Sequence, residues 1–205
     1  RAWLHLQRGL LDLDRGRYED AHAHYRDAAS VLSGWYLVDE HIAEVLVLTG
    51  RSEQARPIYE RVAEETGSPE FFDALAALDR DAGHVDASAA WIARATAAYE
   101  QQLQRYPEAA CGHALGHYLE FGPPERALEL AEANVRVRGY GGAATALIEA
   151  RLGAGKAQDA ADLADATLRT AWRSAELHAA AAAAFRAVGR EEDAVAQEAA
   201  ARAIN

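Results

Sequence analysis

Methionine is absent from this 205-residue chain, and cysteine and proline are scarce, at one and five residues. Lys156 is the sole lysine; arginine supplies the rest of the basic charge. One thiol, Cys111, can close no internal disulfide and build no thiolate zinc cluster. Aromatic residues make up only 8%, and alanine supplies much of the apolar half, which suits closely packed helices better than a thick β core. No run approaches eighteen apolar residues, so no membrane span is expected. The balance of 21 basic to 32 acidic residues gives −11. It argues against nucleic acid, whose phosphates need clustered cations, and against an anionic membrane surface. Half the chain is apolar and 26% is charged, the composition of a folded protein and not of a disordered one. Because it starts at Arg1 and lacks methionine, a fragment or processed form is expected, and the compartment stays open.

What the chain does have is a period. Gly16, Gly50, Gly83, Gly122, Gly155 and Gly189 recur in similar settings, at spacings of 34, 33, 39, 33 and 34 residues. Five residues after each comes a small side chain: Ala21, Ala55, Ser88, Ala127, Ala160 and Ala194. An apolar-periodic stretch of three to four turns precedes each glycine, and another follows within a few residues. Glycine closes a helix in the left-handed conformation without Cβ strain, so each unit is a helix folded back on a helix. The pattern predicts helices at 2–14 and 18–31, 36–49 and 52–65, 69–81 and 85–105, 108–121 and 124–137, 140–153 and 157–169, and 172–187 and 191–204. One such hairpin cannot bury its apolar face alone, so neighbours must stack.

Pro69 and Pro107 fall where helices begin, where a missing N–H is harmless, and Pro123 and Pro124 should open the next helix after Gly122. Pro57 lies one turn inside a helix, so a bend or a later start is expected. The third unit is long by about five residues. Trp91, Ala95, Tyr99 and Leu103 continue one apolar stripe there, so the excess should be helix and not loop. The first helix is rich in large apolar residues (Trp3, Leu4, Leu6, Leu10, Leu11, Leu13), to be covered within the chain or by another subunit. The last carries Glu198 and Arg202 where other units stack, as a terminal repeat would.

The segment RGLLDLDRGRYEDAHAHYRDAASVLS, through Gly9, Gly16, Tyr18, Ala21, Tyr25 and Ala28, resembles the tetratricopeptide repeat family. IAEVLVLTGRSEQARPIYERV follows the same pattern through Ala43, Gly50, Ala55 and Tyr59. Leu115 and Ile148 stand where that family prefers Gly or Ala. The resemblance implies an all-α fold, a right-handed α-α superhelix of about six helix-turn-helix repeats. Its units would be 2–34, 35–67, 68–106, 107–139, 140–171 and 172–205 of a single array. It also implies a non-catalytic scaffold whose first helices line a groove for a protein or peptide. Carried over residue by residue, the groove positions are Tyr36 as an aromatic wall, Glu40 and Glu44, then Glu70, Asp73 and Asp81, then Glu120 and Glu149. Leu6 and Leu10 take the place of the residues that clamp acidic tails in some members, so a basic partner is expected instead. The bland alternative is that these acids only keep an alanine-rich array soluble. The other readings are self-association through the first helix or helix 85–105, and a metal-dependent activity at His113 and His117.

Those two histidines stand i and i+4 on one helix face, which can hold a metal ion, although packed histidines are the commoner outcome. His22 and His24 point about 200° apart on a helix and make no pair. His5, His84 and His178 have no evident companion. No Gly-x-Ser-x-Gly elbow and no phosphate loop occurs, so no enzyme and no cofactor are expected.

Overall fold

The computed structural model describes residues 1–204, which form twelve helices and no strand. In chain order these are α1 (Ala2–Asp14), α2 (Tyr18–Val31), α3 (Tyr36–Leu48), α4 (Ser52–Thr66), α5 (Pro69–Asp81) and α6 (Val85–Arg105). Then come α7 (Pro107–Phe121), α8 (Pro124–Val137), α9 (Gly141–Gly153), α10 (Ala157–Leu168), α11 (Ala175–Ala187) and α12 (Glu191–Ile204). Two compact units result, one ending at Ala98 and the other starting at Tyr99, so the boundary falls inside α6.

In the first unit each of α1 to α4 packs against the next helix. Leu6, Ala21, Tyr25, Ala28, Val38 and Val45 form its buried cluster. Early α6 rests on α5: the Ser88 hydroxyl donates to the Ala76 carbonyl at 2.8 Å, and Trp91 stacks on Phe72. In the second unit α7 packs on α8, α8 on α9, and α9 on both α10 and α11. One of its buried clusters sets the large side chains Ile148, Leu177 and Phe185 among Ala160, Ala161 and Ala164. Burying each such large side chain stabilises the fold by about 1.5–3 kcal/mol. All six small residues that follow the recurrent glycines are buried, so they lie at the crossings where backbones approach. The α6 stripe is buried too, with Ala95, Tyr99 and Leu103 inside and Trp91 half-covered.

Five of the six glycines take positive φ, but Gly122 does not. It is extended, at φ −101° and ψ 177°. The reason is Pro123, whose ring forces the preceding residue away from helical geometry. Glycine is required there for another cause: a Cβ would lie 2.2 Å from the Tyr118 ring. Only Pro124, not Pro123, sits inside α8. Helix α4 starts at Ser52 and runs through Pro57, so no later start occurs. Helix α11 starts at 175 and not 172, because the Ser174 hydroxyl caps it by accepting the Leu177 N–H at 3.1 Å.

One turn before the closing glycine, a recurrent slot meets an arginine. Asp12 is bound by Arg17, and Asp79 by Arg56. The Arg126 guanidinium lies 5.8 Å from the Tyr118 ring centre, and that of Arg190 lies 4.0 Å from the Phe185 ring centre. No helix among the described residues is long and apolar enough to cross a membrane.

Candidate functional site

In the first unit the expected groove residues come from α3 and α5, the leading helices of the second and third repeats. Tyr36 opens α3, is exposed, and meets Phe71 of α5 edge to face at 6.3 Å. Glu40 and Glu44 follow one turn apart on α3 and are half-buried, as are Glu70 and Asp73 on α5. Burial pushes the Glu40 carboxyl above the ordinary carboxylate value. His41 opposes that shift, while the charges of Glu44 and Glu70 add to it. Glu44 and Glu70 therefore both lie within electrostatic reach of Glu40. His41 hydrogen-bonds Glu44 at 2.8 Å. Beneath them the Tyr59 phenol is pushed up, first by burial and then by Glu44 and Glu40. Asp81 lies apart from this group: it is exposed at the end of α5, with Arg80 at 3.5 Å.

In the second unit Glu120 is exposed near the end of α7. Glu149, on α9, lines a recess with Tyr118, Leu119 and Pro124. The residue is exposed, yet desolvation by the protein around it raises its carboxyl above the ordinary value, and the charge of Glu176 on α11 raises it further. Glu176 was absent from the sequence-derived groove. The signal was there: it stands as far before Gly189 as Glu70 stands before Gly83. Likewise Glu149 and Glu44 share one position relative to their own glycines. The pairs Glu44/Glu70 and Glu149/Glu176 thus occupy matching repeat positions, on consecutive leading helices of each unit.

Glu100, Tyr118 and Arg126 form a network that sequence spacing did not suggest. The Tyr118 hydroxyl donates to Glu100 at 2.6 Å, and Arg126 donates to the same carboxylate at 3.0 and 3.2 Å. The hydrogen bond from Tyr118 holds Glu100 below the ordinary value; burial opposes it and Arg126 reinforces it. Burial and the bond to Glu100 push the Tyr118 phenol up to about 12. These groups fasten α6, α7 and α8.

His113 and His117 lie in different settings on α7. His113 is exposed and edges a recess of about 400 Å³ with Asn134, Arg138 and Tyr140. His117 is buried among Tyr99, Tyr118 and Phe121, with ring centres 5.0–5.9 Å away. Neither joins a cluster of three ligand-type side chains among the described residues. Cys111 is buried, with its thiol directed at the Glu108 carbonyl at 3.4 Å.

No protein-family model matches the sequence, and no curated protein matches it. Solved structures do match the fold. A tetratricopeptide repeat protein from Parabacteroides merdae superposes with a TM-score of 0.68 at 14% identity, over 100% of this chain and 78% of that one. A chain of the APC/C hetero-tetramer Cut9–Hcn1 gives 0.61 at 14% identity, over 100% of this chain and 40% of that one. PilW, a widely conserved type IV pilus biogenesis factor, gives 0.57 at 16% identity, over 98% and 92%. The fold is that of a tetratricopeptide-type helical repeat.

Proposed function

We propose that this chain is a non-catalytic scaffold that binds a cationic protein segment or peptide on acidic faces built by consecutive leading helices. The observation that carries the reading is the matched pair of acidic positions. Like charges held together and partly stripped of water cost stability, as the raised carboxyls of Glu40 and Glu149 reflect. A lysine- or arginine-bearing ligand would relieve that cost on docking. Charge kept only for solubility would be spread over outward faces, at no such expense. The Cut9–Hcn1 chain, which has this fold, is part of a hetero-tetramer, and that supports a protein partner for this chain.

Fluorescence anisotropy with labelled arginine-rich peptides tests the reading, against acidic peptides of equal length. Saturable binding that weakens with added salt is expected for the basic set only. The pair Glu40→Gln with Glu70→Gln should weaken it at least about tenfold, the loss of one or two charge-assisted contacts. Equal affinity of wild type and double variant would overturn the proposal.

A second reading, self-association, has one specific observation behind it. On α1 Trp3 and Leu4 are each 59% exposed and Leu11 54%. If that face pairs with a second copy, light scattering at high concentration should give a dimer mass, and Trp3→Glu should return it to monomer. A monomer mass throughout counts against this reading.

A further inference from the structure

His5 lies on α1, and His24 and Asp27 lie on α2. His24 and Asp27 are three residues apart and so share a helix face. The hairpin brings that face to His5. One ligand-type atom from each of the three side chains lies within 4.8 Å of the other two.

Their present partners do not account for this gathering. The Nδ1 atoms of His5 and His24 are both buried and have no hydrogen-bond partner. Asp27 Oδ2 is 3.6 Å from His5 Nδ1, too long for a hydrogen bond. The two rings are tilted by 43° with centres 6.5 Å apart, so they do not stack. Burying two unsatisfied ring nitrogens beside a carboxylate is unfavourable unless something sits between them.

The surroundings suit a metal ion. The other ring nitrogen of His24, Nε2, faces the Asp12 carboxylate at 3.4 Å, and Arg17 holds that carboxylate in turn. A carboxylate behind an imidazole fixes its tautomer and leaves Nδ1 as the ligand atom. Around a tetrahedral zinc ion, bonds of about 2.0–2.1 Å place ligand atoms roughly 3.3 Å apart. The 3.6 Å between His5 and Asp27 is already close to that. Two imidazoles and one carboxylate favour a borderline transition ion over calcium or magnesium, which prefer all-oxygen sites. Asp27, with its side chain 63% exposed, gives an ion a way in from solvent.

We propose that His5, His24 and Asp27 form a binding site for a zinc-class divalent transition-metal ion, which clips α1 to α2 and leaves a fourth coordination position open.

The test uses the tag-free chain, stripped with chelator and titrated with zinc chloride in a calorimeter. One equivalent should bind. His24→Gln and Asp27→Asn should each weaken binding at least about tenfold, and His113→Gln should not change it. Zinc should raise the melting temperature of wild type and of His113→Gln, but not of His24→Gln. Asp27 is a surface residue, so Asp27→Asn carries the test even if His24→Gln fails to fold. Cobalt(II) added to wild type should give the visible bands of a low-coordinate nitrogen–oxygen site. No uptake by wild type, undiminished uptake by Asp27→Asn, or loss in His113→Gln would each overturn the assignment.

Discussion

Valine in place of Gly9 is expected to destabilise the chain by about 3 kcal/mol, the upper end of the usual cost of overpacking a core. A Cβ at Gly9 would lie 2.3 Å from Tyr25 Cε1 and 2.6 Å from Cδ1. The ring has nowhere to go. Tyr25 is fully buried among Leu6, Ala21, Ala28, Val38 and Val45, and it stacks on His41 with ring centres 5.3 Å apart. Glycine inside a helix ordinarily costs about 1 kcal/mol relative to alanine. Even so, Gly9→Ala should be destabilising, because the steric clash outweighs the gain in helix propensity. In a chain of this size, 3 kcal/mol corresponds to a melting temperature lower by roughly 6–12 °C, readable by circular dichroism. Tyr25→Phe is the control. The Tyr25 hydroxyl is buried without a hydrogen-bond partner, so its removal should be neutral or stabilising. If Gly9→Val melts with wild type, the close approach of α1 and α2 is wrong.

Removing the Asp79 carboxylate should cost about 2–3 kcal/mol. Asp79 is 3% exposed, is bound by Arg56 from α4, and has His84 at 3.2 Å. Asp79→Ala leaves the Arg56 guanidinium half-covered, with only Glu60 at 3.4 Å for company. Breaking a fully buried ion pair costs about 3–5 kcal/mol, and solvent at Arg56 reduces that figure. The charge also sets a pH signature. Burial works to raise the Asp79 carboxyl, but hydrogen bonds and charge from Arg56 and His84 outweigh it, so the group ends below its ordinary value. A carboxyl held lower in the folded state than in the unfolded one adds stability above the ordinary value, near pH 4. That stability is lost as pH falls through the depressed folded value. Urea midpoints for wild type and Asp79→Asn should therefore differ most at neutral pH and converge in acid. A gap that stays constant down to pH 3 would mean that the charge contributes nothing.

How much of this was legible in the sequence follows from the range of each interaction. Glycine spacing located α5 and α6 almost to the residue, because helix ends obey local backbone rules. The same rule misled at Gly122, where the local influence of Pro123 was the stronger one. The placing of Glu40, Glu44, Glu70 and Asp73 on the leading helices α3 and α5 was readable from the repeat frame, and that of Glu176 on α11 would have been if the frame had been carried into the sixth unit. The approach of His5 to His24 and Asp27 was not readable. It depends on how α1 rotates against α2, and no spacing along one helix encodes that. For the same reason Glu100 gave no hint of Tyr118 and Arg126, which reach it from two other helices.

The arginines set against the slot before the closing turn in four of the six repeats bear on how such a chain can change over time. Asp12 and Asp79 are answered through their charge, Tyr118 and Phe185 through the flat face of a ring. A guanidinium can do both, since it grips a carboxylate side-on and lies over a ring, whereas an ammonium is only a point charge. In the first and last repeats the arginine holds one place, a single residue past the glycine, and faces an acid in the one and a ring in the other. Between those two repeats an acid and an aromatic are therefore interchangeable beneath the same arginine, an exchange that lysine would not serve equally in both roles.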